Sequence, residues 1–357
     1  MISNVRPILH GLSGLKLTVE EKAFLRDAPP MGFLLFARNI ESVEQTRALC
    51  EELAEFAPFG APFIGVDQEG GRVQRVKFGG KLPAARVYGE WFNVDADNAL
   101  EAVRLNALLL AAQLRDVGAN WLLGPLIDVA NDATHDIIGN RSFSKDSESV
   151  ILLAKAYAEG VDDGGCLACI KHAPGHGRAL VDSHLELPSV NASIDELKLD
   201  FAPFIDMAPD ADFMMTAHIR YEALDGELPA TYSEKILSMM RKDWGFDGLI
   251  VADDVGMKAL QGDYVERVRK SLDAGCDVAI TALSVLKHGM AGTVFDEESF
   301  GLLKNGDLPM LNERAFRYLN ELALPAAPDA DKVTYAKARL KELWADGPAR
   351  MGYTLDL

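Results

Sequence analysis

Cys166-Leu167-Ala168-Cys169-Ile170 runs into Lys171-His172-Ala173-Pro174-Gly175-His176-Gly177, and then into Arg178-Ala179-Leu180-Val181-Asp182-Ser183-His184. The first five residues are apolar and read as a short buried strand. Pro174, Gly175 and Gly177 forbid helix and suit a loop that bends back on itself. Three of the chain's 7 histidines fall in this loop, beside a lysine and an aspartate. A strand that ends in a polar, glycine-rich loop is where α/β proteins commonly keep their chemistry.

The same pattern repeats in both directions along the chain. Further strands are predicted at Val5–Leu9, Phe33–Phe36, Phe63–Val66, Trp121–Val129, Phe213–Ala217, Gly248–Ala252 and Val278–Ala282. Helical periodicity lies between them. It starts at Thr18, where Thr18-x-x-Glu21 suits a capping box and Pro29-Pro30 closes the helix. It resumes over Ser42–Phe56, about Asp97–Val117 after a longer loop, Asp146–Val161, Ile194–Ile205, Ser233–Trp244 and Tyr264–Ala274, where Gly275 is the stop.

Eight strands alternating with helices over about 280 residues is the arithmetic of a (β/α)8 TIM-type barrel. A doubly wound open sheet shares this local pattern, and periodicity alone does not separate the two. The polar residues favour the barrel. Asp67, Asp128, Lys171-His172, His218 and Asp253-Asp254 all fall at or just past the C-terminal ends of predicted strands, the active face of such barrels. Beyond Ala282 the pattern is less regular. Leu324–Asp331 is Pro/Ala-rich and reads as a hinge before a last helix, Tyr335–Trp344. The expected organisation is one barrel domain over residues 1–357, with a helical extension over about 324–357.

With 357 residues, 48% apolar and 25% charged, the chain suits a soluble globular protein with a large core. A formal charge of −18 disfavours nucleic acid or an anionic membrane as partner. Met1 to Gly11 carries Arg6 and Pro7 and no apolar run suited to a signal peptide, and no stretch approaches a membrane span. A cytoplasmic monomer acting on a small molecule is expected. Cys166 and Cys169 form a C-x-x-C, but residues i and i+3 of a strand face opposite ways. Buried, reduced thiols fit better than a redox pair or metal knuckle.

Three chemistries compete for the histidine loop. Zinc would use His172 and His176 at the zincin spacing with His184 as third ligand, but Pro174 and Gly175 exclude the helix that spacing requires. No metal and no cofactor are expected. A nucleophilic triad has the right letters in Asp182-Ser183-His184, but adjacent residues cannot meet as a triad, and no G-x-S-x-G elbow is present. Acid/base chemistry fits better. In extended loop backbone Asp182 and His184 point the same way, so the carboxylate can orient the imidazole and favour its protonated form. Such a dyad can give a proton to a leaving group and later take one from water. Asp253 is the candidate for an anionic partner across the substrate. A pair that merely stabilises the loop would use the same two residues.

The chain also resembles a known family. Lys171-His-x-Pro-Gly-His-Gly followed by Asp182-Ser-His184 is similar to the signature of the bacterial β-N-acetylhexosaminidases of glycoside hydrolase family 3. So are Asp67-Gln-Glu-Gly-Gly-Arg-Val-Gln-Arg75, Gly139-Asn-Arg141-Ser, Gly245-Phe-Asp-Gly-Leu-Ile-Val-Ala-Asp-Asp254 and Leu272-Asp-Ala-Gly-Cys-Asp277, in the family's order. The resemblance implies His184 as general acid/base with Asp182 as its partner, and Asp253 as the nucleophile. It implies that Asp67, Arg75, Arg141, Lys171 and His172 hold an N-acetylglucosamine ring, and leaves Glu69, Asp254 and His218 without a role. Two departures stand out. Ala173 sits where the family usually has a bulky aromatic, and Val255-Gly256-Met257-Lys258 follows Asp254 where many relatives have Leu-Ser-Met.

What the resemblance implies is retaining hydrolysis of terminal β-linked N-acetylglucosamine, in cytoplasmic cell-wall recycling. The expected substrate is N-acetylglucosamine linked to 1,6-anhydro-N-acetylmuramic acid, with or without peptide. Most retaining glycosidases use two carboxyl groups about 5–5.5 Å apart, a criterion that does not carry over when histidine replaces one of them. Substrate-assisted catalysis through the acetamide, phosphorolysis, and a non-catalytic sugar-binding protein are the alternatives.

Overall fold

The computed structural model describes residues 4–282 and 308–357. Most of the irregular segment expected after Ala282 lies outside the described residues. Nine parallel strands form the central sheet: β1 Arg6–Gly11, β2 Pro30–Leu35, β3 Ile64–Val66, β4 Trp121–Leu122, β5 Leu167–Ala168, β6 Ile170–Ala173, β7 Phe213–Thr216, β8 Leu249–Ala252 and β9 Val278–Thr281. Their order is β5-β4-β3-β2-β1-β9-β8-β7-β6. The two ends of that order are separated in the chain by Cys169 alone. One extended segment therefore pairs with β4 through Leu167 opposite Trp121, and with β7 through Ile170 opposite Met214. The sheet thus closes on itself into the expected barrel, and the open-sheet alternative is excluded.

Alternation along the strands builds two cores. Ile8, Phe33, Ile64, Leu122, Ile170, Met214, Ile250 and Ala279 pack with buried residues of the helices. Leu9, Leu34, Trp121, Cys169, Phe213, Met215, Val251 and Ile280 pack with one another inside the barrel. Cys166 and Cys169 fall in opposite cores, as their spacing predicts. Both are free thiols, and burial pushes Cys166 up to about 12.

The helices are α1 Val19–Asp27, α2 Val43–Leu53, α3 Ala85–Phe92, α4 Ala96–Asp116, α5 Ser147–Asp163, α6 Ile194–Met207, α7 Glu234–Lys242, α8 Tyr264–Ala274, α9 Glu313–Glu321 and α10 Ala330–Asp346. Thr18 and Glu21 form the capping box. Asp146, Ser193 and Asp263 cap α5, α6 and α8 through side-chain oxygens that accept a backbone N–H. Gly275, at φ 120°, ends α8 in a conformation L side chains avoid.

Four expectations change. The loop before α4 contains α3, whose Ala84 offers no side-chain cap. The fourth strand pairs over two residues only, because Gly124-Pro125 interrupts it. Beyond that break the backbone N–H groups of Lys171 and Ile127 donate to the carbonyls of Pro125 and Lys171. Leu311, Ala315 and Leu319, on and just before α9, join the inner core and floor the barrel at its N-terminal end. Finally, Leu324–Asp331 is not a hinge. Leu324 packs on the inner core, a Cβ on Gly165 would lie 2.7 Å from the Ala326 carbonyl oxygen, and Asp329 caps α10. Arg339 of α10 grips Glu101 of α4 through two bonds of 2.7 and 2.9 Å.

Helices α4 and α5 pack closely, because Gly160 lets them approach. A Cβ there would lie 2.1 Å from the Arg104 carbonyl oxygen. Gly160→Ala is therefore expected to cost about 1–3 kcal/mol. Gly14→Ala, where nothing lies within 4 Å, serves as control. Urea unfolding of both variants measures the difference, and equal midpoints would contradict the close contact.

Candidate active site

The site forms where β3, β6, β7 and β8 end. On β6, Lys171 is 1% exposed, so its ammonium needs compensation. Nζ lies 2.7 Å from Glu69 Oε1 and 2.9 Å from Asp67 Oδ1. Arg141 donates from Nε and Nη2 to the two oxygens of Glu69, both at 2.8 Å. Arg75 Nη2 stands 3.7 Å from Asp67 Oδ2. Burial alone would push the Glu69 carboxyl up, but Arg141 and Lys171 outweigh it and hold the group well below the usual carboxylate range. Burial likewise opposes the Lys171 charge, and Asp67 and Glu69 overcome it. Lys171, Arg141, Asp67 and Glu69 thus stay ionised together.

A tight hairpin delivers Glu69. Residues Gln68–Gly70 pair antiparallel with Val73–Gln74. Gly70 turns at φ 93°, and a Cβ there would meet the Pro83 carbonyl oxygen at 2.3 Å. The Gln68 and Gln74 amides each donate to the Val76 carbonyl, at 2.7 and 3.1 Å, and so brace the hairpin from behind.

A second group centres on Asp128, which is fully buried. Its Oδ1 accepts the backbone N–H groups of His172, at 3.1 Å, and His176, at 2.6 Å, while Oδ2 pairs with His172 Nδ1 at 2.9 Å. Burial raises the Asp128 carboxyl, but the two histidines outweigh it and keep it ionised. With Nδ1 held, His172 has Nε2 left for a ligand. The Lys171–His172 and Ala173–Pro174 peptide bonds are both cis.

The third group is Asp182 and His184. Asp182 Oδ1 accepts the backbone N–H of His184 at 2.9 Å and its ring Nδ1–H at 2.8 Å. Burial pushes Asp182 up, and these two bonds pull it below its ordinary value. The pair is seated against the segment after β8. Lys258 N–H donates to the His184 carbonyl at 3.4 Å and Ala259 N–H to that of Ser183 at 3.2 Å.

Asp253 and Asp254 follow β8. The Asp254 carboxylate turns inward, accepting the N–H groups of Gly256 at 2.9 Å and Ala282 at 3.1 Å. Burial, with Asp253 adding to it, raises Asp254 to about 6, while those amides and His184 act against the rise. His218, lowered first by burial, also feels Asp253, His184 and His172, so these groups share one electrostatic neighbourhood. His218 Nε2 meets the Asp254 carbonyl at 3.1 Å and Nδ1 meets Thr231 Oγ1 at 2.7 Å. Since a carbonyl accepts only, Nε2 carries the proton and His218 is a neutral pin on the Asp254 turn.

Every residue singled out in the sequence therefore lies at this end of the barrel: Asp67, Arg75, Arg141, Lys171, His172, Asp182, His184 and Asp253. Three organising residues went unassigned. Glu69 joins Lys171 to Arg141, Asp128 holds His172 and His176, and His218 pins Asp254. The signal available was charge type at a strand end, since each partner is remote in sequence.

A parallel barrel with fixed cations, paired acids and a histidine–aspartate dyad at its mouth is the build of a glycoside hydrolase. Residues 8–317 match the glycosyl hydrolase family 3 N terminal domain. The β-hexosaminidase of Thiobacillus denitrificans is 37% identical over 281 residues, 77% of this chain and 77% of that protein. That of Stenotrophomonas maltophilia strain R551-3 is 37% identical over 312 residues, covering 84% and 92%. NagZ from Neisseria gonorrhoeae, solved with N-trifluoroacetyl-D-glucosamine, superposes with TM-score 0.82 at 31% identity over 96% of this chain and 98% of that one. The chain belongs to glycoside hydrolase family 3, in its β-N-acetylhexosaminidase branch.

Two outcomes follow from the buried charges. Glu69→Ala strands Arg141 and leaves Lys171 with Asp67 alone, and is expected to cost about 3–5 kcal/mol. Arg104→Ala, which breaks exposed pairs with Glu159 and Asp163, should cost no more than about 1 kcal/mol. The second outcome concerns pH. Burial first, then Arg38, lowers His10 to about 3; burial first, then His172, lowers His176 to about 4; and His218 is lowered too. As pH falls through about 6.5 the unfolded chain takes up protons there that the native state refuses, so stability present above that pH is lost. Asp254, raised to about 6, and Asp200, raised by burial, work the opposite way but are two groups against three. The urea midpoint should therefore be lower at about pH 5 than at about pH 7.5; an equal or higher midpoint would refute this balance.

Proposed function

We propose that the protein removes terminal, non-reducing β-linked N-acetylglucosamine with retention, in two displacements. Asp253 attacks the anomeric carbon and forms a glycosyl ester while protonated His184 gives its proton to the departing oxygen. Neutral His184 then takes a proton from water, which attacks the same carbon and frees the sugar and Asp253. The observation that carries this reading is the 2.8 Å bond from His184 Nδ1 to Asp182. It engages one ring nitrogen, fixes the ring's orientation and leaves Nε2 to exchange the proton. Asp67, Arg75, Arg141, Lys171 and His172 hold the ring and its acetamide, with the Arg141 guanidinium and Lys171 ammonium fixed by Glu69 and the His172 imidazole by Asp128. The inward turn of the Asp254 carboxylate argues against an Asp253–Asp254 pair assisting the acetamide.

The natural substrate in this reading is N-acetylglucosamine on 1,6-anhydro-N-acetylmuramic acid, with or without peptide, in cytoplasmic cell-wall recycling by a single-domain monomer without metal or cofactor. No helix among the described residues is long and apolar enough to cross a membrane.

With diacetylchitobiose as substrate, His184→Ala is expected to lower kcat by about 10²–10⁴-fold, and Asp253→Ala to abolish turnover. A 5-fluoro N-acetylglucosaminyl donor, which keeps the 2-acetamido group, should leave one covalent adduct on Asp253. Mass spectrometry showing no adduct there, with turnover intact, would sink the covalent route. Adding phosphate should leave the rate unchanged; release of sugar 1-phosphate would instead identify a phosphorylase.

A further inference from the structure

We infer that His176 and Ser183 are positioning residues that set where the Asp182–His184 pair stands between the sugar-holding wall and the Asp253 segment. The inference rests on the acid/base reading of His184. The first half of the β6 exit loop is fixed. A Cβ on Gly177 would lie 1.8 Å from the Val129 carbonyl oxygen. The Gly177 carbonyl accepts Asn131 Nδ2–H at 3.0 Å and the Thr134 hydroxyl at 2.7 Å, and Tyr221 donates to the Gly175 carbonyl at 2.7 Å. The second half projects. Leu180 is 62% exposed and Leu185 61%, and Ser183 is the one buried residue between them, 4% exposed. Ser183 is the foothold of the segment that carries both members of the dyad.

Its side chain faces two walls at once. His176 Nε2 lies 3.4 Å from Ser183 Oγ, and Ser183 Oγ lies 3.9 Å from Met257 Sδ. His176 is itself held by its backbone N–H on Asp128, and its ring meets His172 edge to face with centroids 5.6 Å apart. Among the described residues, Nδ1 of His176 has no hydrogen-bond partner. A bare buried acceptor is less costly than a bare buried N–H, so the proton belongs on Nε2. The hydrogen bonds then run one way: His176 Nε2–H to Ser183 Oγ, and Ser183 O–H to Met257 Sδ. Met257 N–H in turn donates to the Asp254 carbonyl at 3.0 Å. A continuous path thus joins Asp128, which orients His172, to the turn that follows Asp253, with Ser183 at its middle and His184 one residue away. Neither His176 nor Ser183 needs to touch sugar. Their effect is on where the acid's Nε2 stands relative to the departing oxygen, and a misplacement of about 1 Å can cost about a hundredfold.

Leaving-group dependence separates this role from a merely structural one. A 2,4-dinitrophenyl glycoside departs without a proton, whereas diacetylchitobiose needs one. Ser183→Ala and His176→Phe are expected to keep kcat/KM on the dinitrophenyl substrate within about threefold and to lose about 10–100-fold on diacetylchitobiose. His176→Gln, whose amide N–H can still reach the Ser183 hydroxyl, should recover most of the loss. The dinitrophenyl rate doubles as the check that each variant is folded. Equal losses on both substrates, or no loss on either, would overturn the positioning role. His184→Ala is run alongside. If it too shows no leaving-group dependence, the acid/base reading has failed; if it shows a steep one and the other variants do not, only the present inference has.

Discussion

Lys171 is a buried ammonium at the mouth of the barrel, and much of the site follows from keeping it charged. Water cannot solvate it, so carboxylates must. Asp67 and Glu69 do so, and Glu69 must then be balanced by Arg141. The outcome is a wall of donors that are already paid for electrostatically and already aimed. Removing Glu69 leaves Arg141 without its carboxylate and Lys171 with Asp67 alone. This coupling explains why the Gln68–Gln74 hairpin is so rigidly braced: its turn at Gly70 places the Glu69 carboxylate within reach of two cations from elsewhere in the chain, Lys171 on β6 and Arg141.

The same logic operates in the histidine loop at lower charge. One buried carboxylate, Asp128, takes two backbone N–H groups and one imidazole. It fixes the path of the chain from His172 to His176 and the ring orientation of His172 together. Asp182 repeats the device on a smaller scale, gripping both the backbone and the ring of His184. In each case a carboxylate that holds main chain and side chain of one histidine leaves that ring only one nitrogen for chemistry.

What could be read from the chain was whatever is local. The glycine and proline exit and the i, i+2 pairing of Asp182 with His184 are short-range and stand. The strand, however, splits into β5 and β6 and runs on through Lys171–Ala173. The pair sits on a turn, where the N–H groups of Leu185 and Glu186 donate to the Asp182 carbonyl, not on extended backbone. The barrel count survived because each strand carries its own apolar run. The rest depends on distant pairing. Arg141 meets Glu69 across 72 positions and His172 meets Asp128 across 44, so neither carboxylate announces its partner. β4 was read too long because Gly124-Pro125 ends the ladder while the residues beyond stay apolar. α3 lacks a capping side chain, and α9 earns its place by filling the barrel floor, a tertiary role. The loop after Ala323 looked like a hinge by composition, yet Gly165 leaves room for it to lie flat on the barrel.

The floor has a consequence for traffic. Leu311, Ala315 and Leu319 complete the packing at the N-terminal end of an interior already filled by side chains, so the barrel is solid below its mouth and offers no tunnel. Whatever enters at the mouth departs by the same opening. Occupancy is then a queue of one: a spent molecule must leave the rim before its successor arrives.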